Sequence, residues 1–115
     1  MNENMEPDTN EVVLTGRVSG APVCREMPSG DEVWTWRLVV RRGAATSGSR
    51  QTVDVVDCAA WSARVRRSVR GWSDGDVVEV SGALRRRFYR GGTGTASRCE
   101  VEVERARVTR RAASA

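Results

Sequence analysis

Hydrophobic and polar positions alternate along most of this chain, and the alternation marks five strands and one short helix. From Glu11 onward Val12, Leu14, Gly16 and Val18 fall on one face, with Val13, Thr15 and Arg17 on the other. Gly16, inside that run, predicts the bend or bulge a small barrel needs in order to close. Gly20-Ala21-Pro22 turns the chain, Val23 to Met27 is weakly extended, and Pro28-Ser29-Gly30-Asp31 is a turn signal. The second strand, Glu32 to Arg42, sets Trp34, Trp36, Leu38 and Val40 against Val33, Thr35, Arg37, Val39 and Arg41. The tryptophan face is expected in the core or at a subunit contact. Gly43 to Gln51 has no apolar anchor; it reads either as a plain hairpin tip or as a loop that folds over a ligand strand.

The third strand, Thr52 to Ala60, leads into a helix of about ten residues, on which Trp61, Val65, Ser68 or Val69, and Trp72 recur at helical spacing and form one apolar stripe. Arg64, Arg66, Arg67 and Arg70 lie off the stripe and are expected in solvent. Asp74-Gly75-Asp76 turns the chain into the fourth strand, Val77 to Leu84. If Leu84 faces the core, Phe88 does too, and Arg85, Arg87 and Tyr89 share the opposite face. Two arginines beside an exposed aromatic have the composition of a base-stacking platform. Gly91 to Thr95 is a second tip. The last strand, Arg98 to Thr109, places Cys99, Val101 and Val103 inward and Glu100, Glu102 and Glu104 outward, in solvent and away from any phosphate. This order defines an all-β fold, a five-stranded OB-fold Greek-key barrel with one short helix between strands 3 and 4.

Charge changes the picture from fold to ligand. Four of the acids, Glu3, Glu6, Asp8 and Glu11, precede the first base, leaving nineteen arginines against eleven acids, a charge of +8, on the remainder. There is no lysine. Genomic base composition explains that bias as readily as function does, but arginine is the better side chain for phosphate forks and for stacking on bases. A basic domain with an acidic lead-in fits a polyanion partner. The domain is expected over 11–109, after a disordered acidic segment 1–10 and before a short basic tail 110–115.

Other chemistry is poorly represented. Histidine is absent, which removes the usual general base and nitrogen metal ligand. Cys24, Cys58 and Cys99 match no metal or redox spacing and read as small buried thiols in a reducing compartment. No phosphate loop, carboxylate metal cluster, apolar span or secretory signal is present. The expectation is a cytoplasmic, nucleoid-associated protein that is not an enzyme, with no cofactor, no metal and no membrane partner.

Three segments resemble the bacterial single-stranded DNA-binding proteins: Val12-Val13-Leu14-Thr15-Gly16-Arg17-Val18, Pro22 to Gly30, and the gap-free run from Cys58 through Trp61 to Leu84. The likeness covers Glu11 to Thr109, and the arginine-rich composition looks actinobacterial. It implies an OB-fold assembling as a homotetramer, or a dimer, that wraps single-stranded DNA without regard to sequence. Trp61 and Tyr89 match family positions that hold stacking aromatics. Arg17, Arg37, Arg41, Arg50, Arg85 and Arg87 are the candidate nucleic-acid contacts beside them. Two further aromatic positions of the family fall at Ala44 and Val55, and Asp57 stands where a basic residue is common. The resemblance also implies a flexible tail with an acidic tip, so a chain stopping at Ala115 reads as a tail-less paralogue or a truncated one. The departures sustain a second reading, an OB-fold protein-interaction subunit with weak binding of single-stranded DNA or RNA.

Overall fold

The computed structural model describes residues 6–43, 50–91 and 94–113, with residues 89–91 described by their backbone alone. Five strands, β1 (Val12–Glu26), β2 (Glu32–Arg41), β3 (Val53–Ala60), β4 (Val77–Gly91) and β5 (Gly94–Arg110), close a barrel in the order β1-β2-β3-β5-β4. The one helix, α1 (Ala63–Val69), lies between β3 and β4. The fold is the OB-fold that the alternation predicts.

Most inward positions of β1 and β2 are the predicted ones: Val18, Trp36 and Leu38 are buried, while Arg37 and Arg41 point outward; Val33, of the outward parity, is buried as well. Helix α1 closes one end. The Ser62 hydroxyl caps it by accepting from the Val65 N–H at 3.3 Å. Val65, Val69 and Trp72 go into the core, where Trp72 meets Trp36 edge to face at 5.1 Å. The helix is seven residues long, shorter than its apolar stripe suggests, because Arg70 caps it and Trp72 already lies beyond it. Arg64, Arg67 and Arg70 are exposed as expected, but Arg66 donates to Glu32 at 2.9 Å.

Two glycines allow the strands to approach closely. A Cβ on Gly16 would sit 2.5 Å from the Val39 carbonyl oxygen, and one on Gly82 would run into the Glu102 carbonyl oxygen. Two other sequence signals resolve differently. Gly20-Ala21-Pro22 does not end the first strand; it makes an irregularity between Ser19 and Val23 inside one long strand. The fourth and fifth strands also run past their predicted ends, pairing out to Gly91 and Gly94.

That extension corrects the expectation for Phe88. Beyond Gly82, β4 has lost β1 as a neighbour, and beyond Leu84 and Val101, where β3 still pairs with β5, the hairpin pairs only with itself. At Phe88 no barrel remains behind the inward parity and the ring is 69% exposed; Leu84, at the barrel's rim opposite buried Val101, is 49% exposed. Cys99, further out on the same hairpin, is exposed, as is Cys24; among the three thiols only Cys58 is buried. Burial, with Asp57 and Glu100 nearby, pushes the Cys58 thiol up to about 12, so it stays protonated and unreactive.

The turn into β4 holds a buried carboxylate. Asp76 accepts from the Ser73 N–H at 2.9 Å, the Ala112 N–H at 2.8 Å and the Arg111 guanidinium at 3.0 Å. Arg111 also donates to the Gly71 carbonyl at 2.9 Å, which ties the segment after β5 to the base of the barrel. Burial alone would raise the Asp76 pKa, but these donors outweigh it and hold the carboxyl below its ordinary value.

Candidate nucleic-acid interface

Strand register assembles one outer face from all five strands. Directly paired residues project to the same side of a sheet, so Ser19, Arg37 and Asp57 form one row, and Thr35, Ala59, Glu102 and Ala83 form the next. A cleft of about 310 Å³ crosses this face, lined in part by Arg25, Thr35, Arg37, Asp57, Arg98 and Glu100. Asp57 lies 3.6 Å from Arg37 and 4.0 Å from Arg98.

Further along, Arg85 and Arg87 share a face as expected, but not one free of acids. A bulge in β5 pairs Ser81 with Arg105 and Gly82 with Val103, leaving Glu104 over. The extra residue reverses the parity of β5, and this aligns Glu100 and Glu102 with the outward arginines. Arg85 Nε lies 3.2 Å from Glu102, Arg87 Nη2 3.1 Å from Glu102, and Arg87 Nε 3.5 Å from Glu100. The expectation of a solvated glutamate row is therefore corrected: the Glu100 side chain is only 16% exposed. Glu104 alone of the three is exposed.

Trp61 stands at the end of β3, half-buried, with the Arg87 guanidinium carbon 5.6 Å from its ring centroid. It also lines a second cleft with Gly30, Asp31, Glu32 and Arg66. The indole thus sits between two arginine–glutamate systems, with the turn between β1 and β2 as a neighbour. Val55, on the same outward parity of β3 as Asp57, is 57% exposed.

The remaining predicted residues divide. Arg17 and Arg41 are brought together in another cleft at the opposite end of this outer surface, joined there by Arg110. Arg50 is exposed before β3 and forms no ion pair among the described residues. Tyr89 pairs with Ala96 through its backbone, and its side chain, like Ala44, lies outside the described residues. Arg98, Glu100, Glu102 and Arg110 were not singled out as site residues from the sequence; the bulges that align them carry no composition signal.

A basic, arginine-lined outer face on an OB barrel, with an indole at its edge, defines a class of polymer-binding module. The chain belongs to the Single-strand binding protein family, whose match covers residues 9–109. It is 31% identical over 85 residues to a Single-stranded DNA-binding protein of Bacillus cereus, covering 74% of this chain and 50% of that protein. With Single-stranded DNA-binding protein A of Bacillus subtilis it shares 30% identity over 80 residues, covering 70% of this chain and 46% of that one. The chain thus spans about half the length of these relatives. A solved structure, the Plasmodium falciparum SSB complex with ssDNA, superposes with a TM-score of 0.73 over 94% of this chain and 96% of the other at 20% identity. At that identity the likeness concerns the fold.

Proposed function

We propose that this protein binds single-stranded DNA without sequence preference and without catalysis, coating and protecting exposed strands in replication, recombination or repair. The observation that carries the reading is the juxtaposition of Trp61, capped by Arg87, with the arginines that line two clefts of the outer surface. Stacking on aromatic faces together with backbone tracking by cations is how such proteins accept any base. On this reading the binding unit is residues 11–109, Trp61 and Tyr89 stack bases, and Arg17, Arg37, Arg41, Arg50, Arg85 and Arg87 meet phosphates. The protein acts in the cytoplasm, on the nucleoid, as a homotetramer or a dimer. No helix among the described residues is long and apolar enough to cross a membrane.

Retarded migration of labelled oligo(dT), competed by poly(dT) more strongly than by poly(U), tests the proposal. No retardation at low salt contradicts it, and equal competition points to RNA as an equal ligand.

A second reading, a protein-interaction subunit with weak nucleic-acid binding, is favoured by Asp57 and the glutamates that occupy the arginines of the central face. Its signature is a stable hetero-complex with DNA binding abolished by moderate salt.

A further inference from the structure

The arginines of the outer surface fall into two electrostatic groups. Around Trp61 and the central cleft, Arg37, Arg85, Arg87 and Arg98 each face a carboxylate within 4.0 Å. At the other end, Arg17, Arg41 and Arg110 share a cleft of about 340 Å³ with Thr15, Gly16, Val39 and Val77, and no acid lines it. None of these three arginines forms an ion pair among the described residues. The acids beside the cleft are each held by another arginine: Glu79 by Arg107 at 3.2 Å, Asp54 by Arg42 at 2.7 Å and Asp76 by Arg111 at 3.0 Å.

Register creates the cluster. Arg110, Val77, Arg17 and Val39 are successive partners across β5, β4, β1 and β2, and Arg41 lies two residues along β2 from Val39. A skipped residue, Thr109, lets Arg110 face Val77 while Val108 faces Val78. With neighbouring strands about 4.8 Å apart, Arg17 and Arg110 stand roughly 10 Å apart at their backbones. That is about one Debye length at 0.1 M salt, so their repulsion is only partly screened. An anion that reaches all of them relieves it without first displacing a carboxylate.

We propose that Arg17, Arg41 and Arg110 form the principal phosphate anchor of this protein, a site for consecutive phosphates of a single strand, distinct from the region around Trp61, where bases stack and Arg37, Arg85 and Arg87 meet phosphate only in exchange for a carboxylate. The inference rests on the single-strand reading for its ligand but not for its location. Phosphates gain most where the positive field is uncancelled. Bases, which are neutral, tolerate the carboxylate-buffered region and gain there from stacking.

The test uses the whole chain with two probes, inorganic tripolyphosphate and an oligo(dT) strand, and follows the arginine Nε–H signals by NMR. Tripolyphosphate is expected to shift Arg17, Arg41 and Arg110 at lower concentration than Arg37, Arg85 or Arg87. In the variant R17Q/R41Q/R110Q, oligo(dT) binding should weaken, and its log-log salt slope should fall in magnitude by about 2, at about 0.7 per phosphate. Thermal melting confirms that the variant is folded, and the wild-type NMR titration needs no variant. Shifts spread evenly over all arginines, or none, overturn the proposal. So does a triple variant that keeps the full affinity and slope for oligo(dT), which would make the cleft a site for free polyphosphate only. Tripolyphosphate seated in the cleft with no oligo(dT) binding at any salt would sink the single-strand reading while leaving the phosphate site in place.

Discussion

The guanidinium of Arg87 lies 5.6 Å from the centroid of the Trp61 ring, and Glu102 and Glu100 hold that arginine at 3.1 Å and 3.5 Å. The indole is thereby fixed at the edge of the face by a cation that two carboxylates orient. Stacking of a base on Trp61 adds a second partner to this arrangement, and the arginine is available to an incoming phosphate once its carboxylates release it. A fully exposed pair contributes only about 0–1 kcal/mol; these pairs are partly buried, so releasing Arg87 from both carboxylates costs more than that.

Trp61→Ala should weaken oligonucleotide binding by about 1–3 kcal/mol, roughly tenfold to a hundredfold, with little loss of stability. Trp72→Ala should do the reverse. Trp72 is 6% exposed and packed edge-on against Trp36, so its removal should cost about 3–5 kcal/mol of folding free energy. Paired titrations and thermal melts of the two variants at matched folded fraction check the contrast.

Asp57→Asn should strengthen binding by about fivefold, on the order of 1 kcal/mol, by removing a negative charge from the central cleft and relieving Arg37 of its partner. Affinity measured at 50 mM and 200 mM salt tests this. An unchanged affinity would favour the protein-interaction reading, in which the cleft does not meet phosphate.

Gly82→Ala should destabilise the barrel by about 1–3 kcal/mol or more. The added methyl meets the backbone carbonyl of Glu102, which cannot rotate away as a side chain can. Denaturant unfolding checks the value; a midpoint equal to wild type would mean that β4 and β5 are less closely apposed there.

Asp76 gives the stability an acid limit. Its folded-state pKa is lowered, so its stabilising effect is fully present above the ordinary value of 3.8 and is lost as pH falls through the lower folded value. Wild type should therefore lose stability below about pH 4 more steeply than Asp76→Asn. At pH 7 that variant should be less stable by about 1–3 kcal/mol, through weakened donors at Ser73, Ala112 and Arg111. Melting curves from pH 2 to pH 7 measure both effects.

The fold was legible because period-two alternation in β1, β2 and β3 and the stripe of α1 are local signals. Trp36, Leu38, Val65 and Trp72 fall where that pattern places them. The site was legible only in part. Trp61 and the outward parity of Arg37, Arg85 and Arg87 follow from the same alternation. The partners of those arginines do not, because Glu100 and Glu102 reach them through a bulge at Glu104 that no residue type announces. Phe88 was misplaced for a related reason. Parity predicts the side of a strand a residue faces, but whether a barrel stands behind that side depends on where the neighbouring strand ends.

Titration of the protein with oligo(dT), followed by tryptophan emission at low and moderate salt, tests the central claim most directly. Trp36 and Trp72 are buried in the core and half-buried Trp34 packs against it, so the change should come chiefly from Trp61, at the edge of the outer face. The account predicts saturable quenching that is lost in Trp61→Ala and weakens steeply as salt rises. Unchanged emission, with no retarded DNA even at low salt, would contradict it.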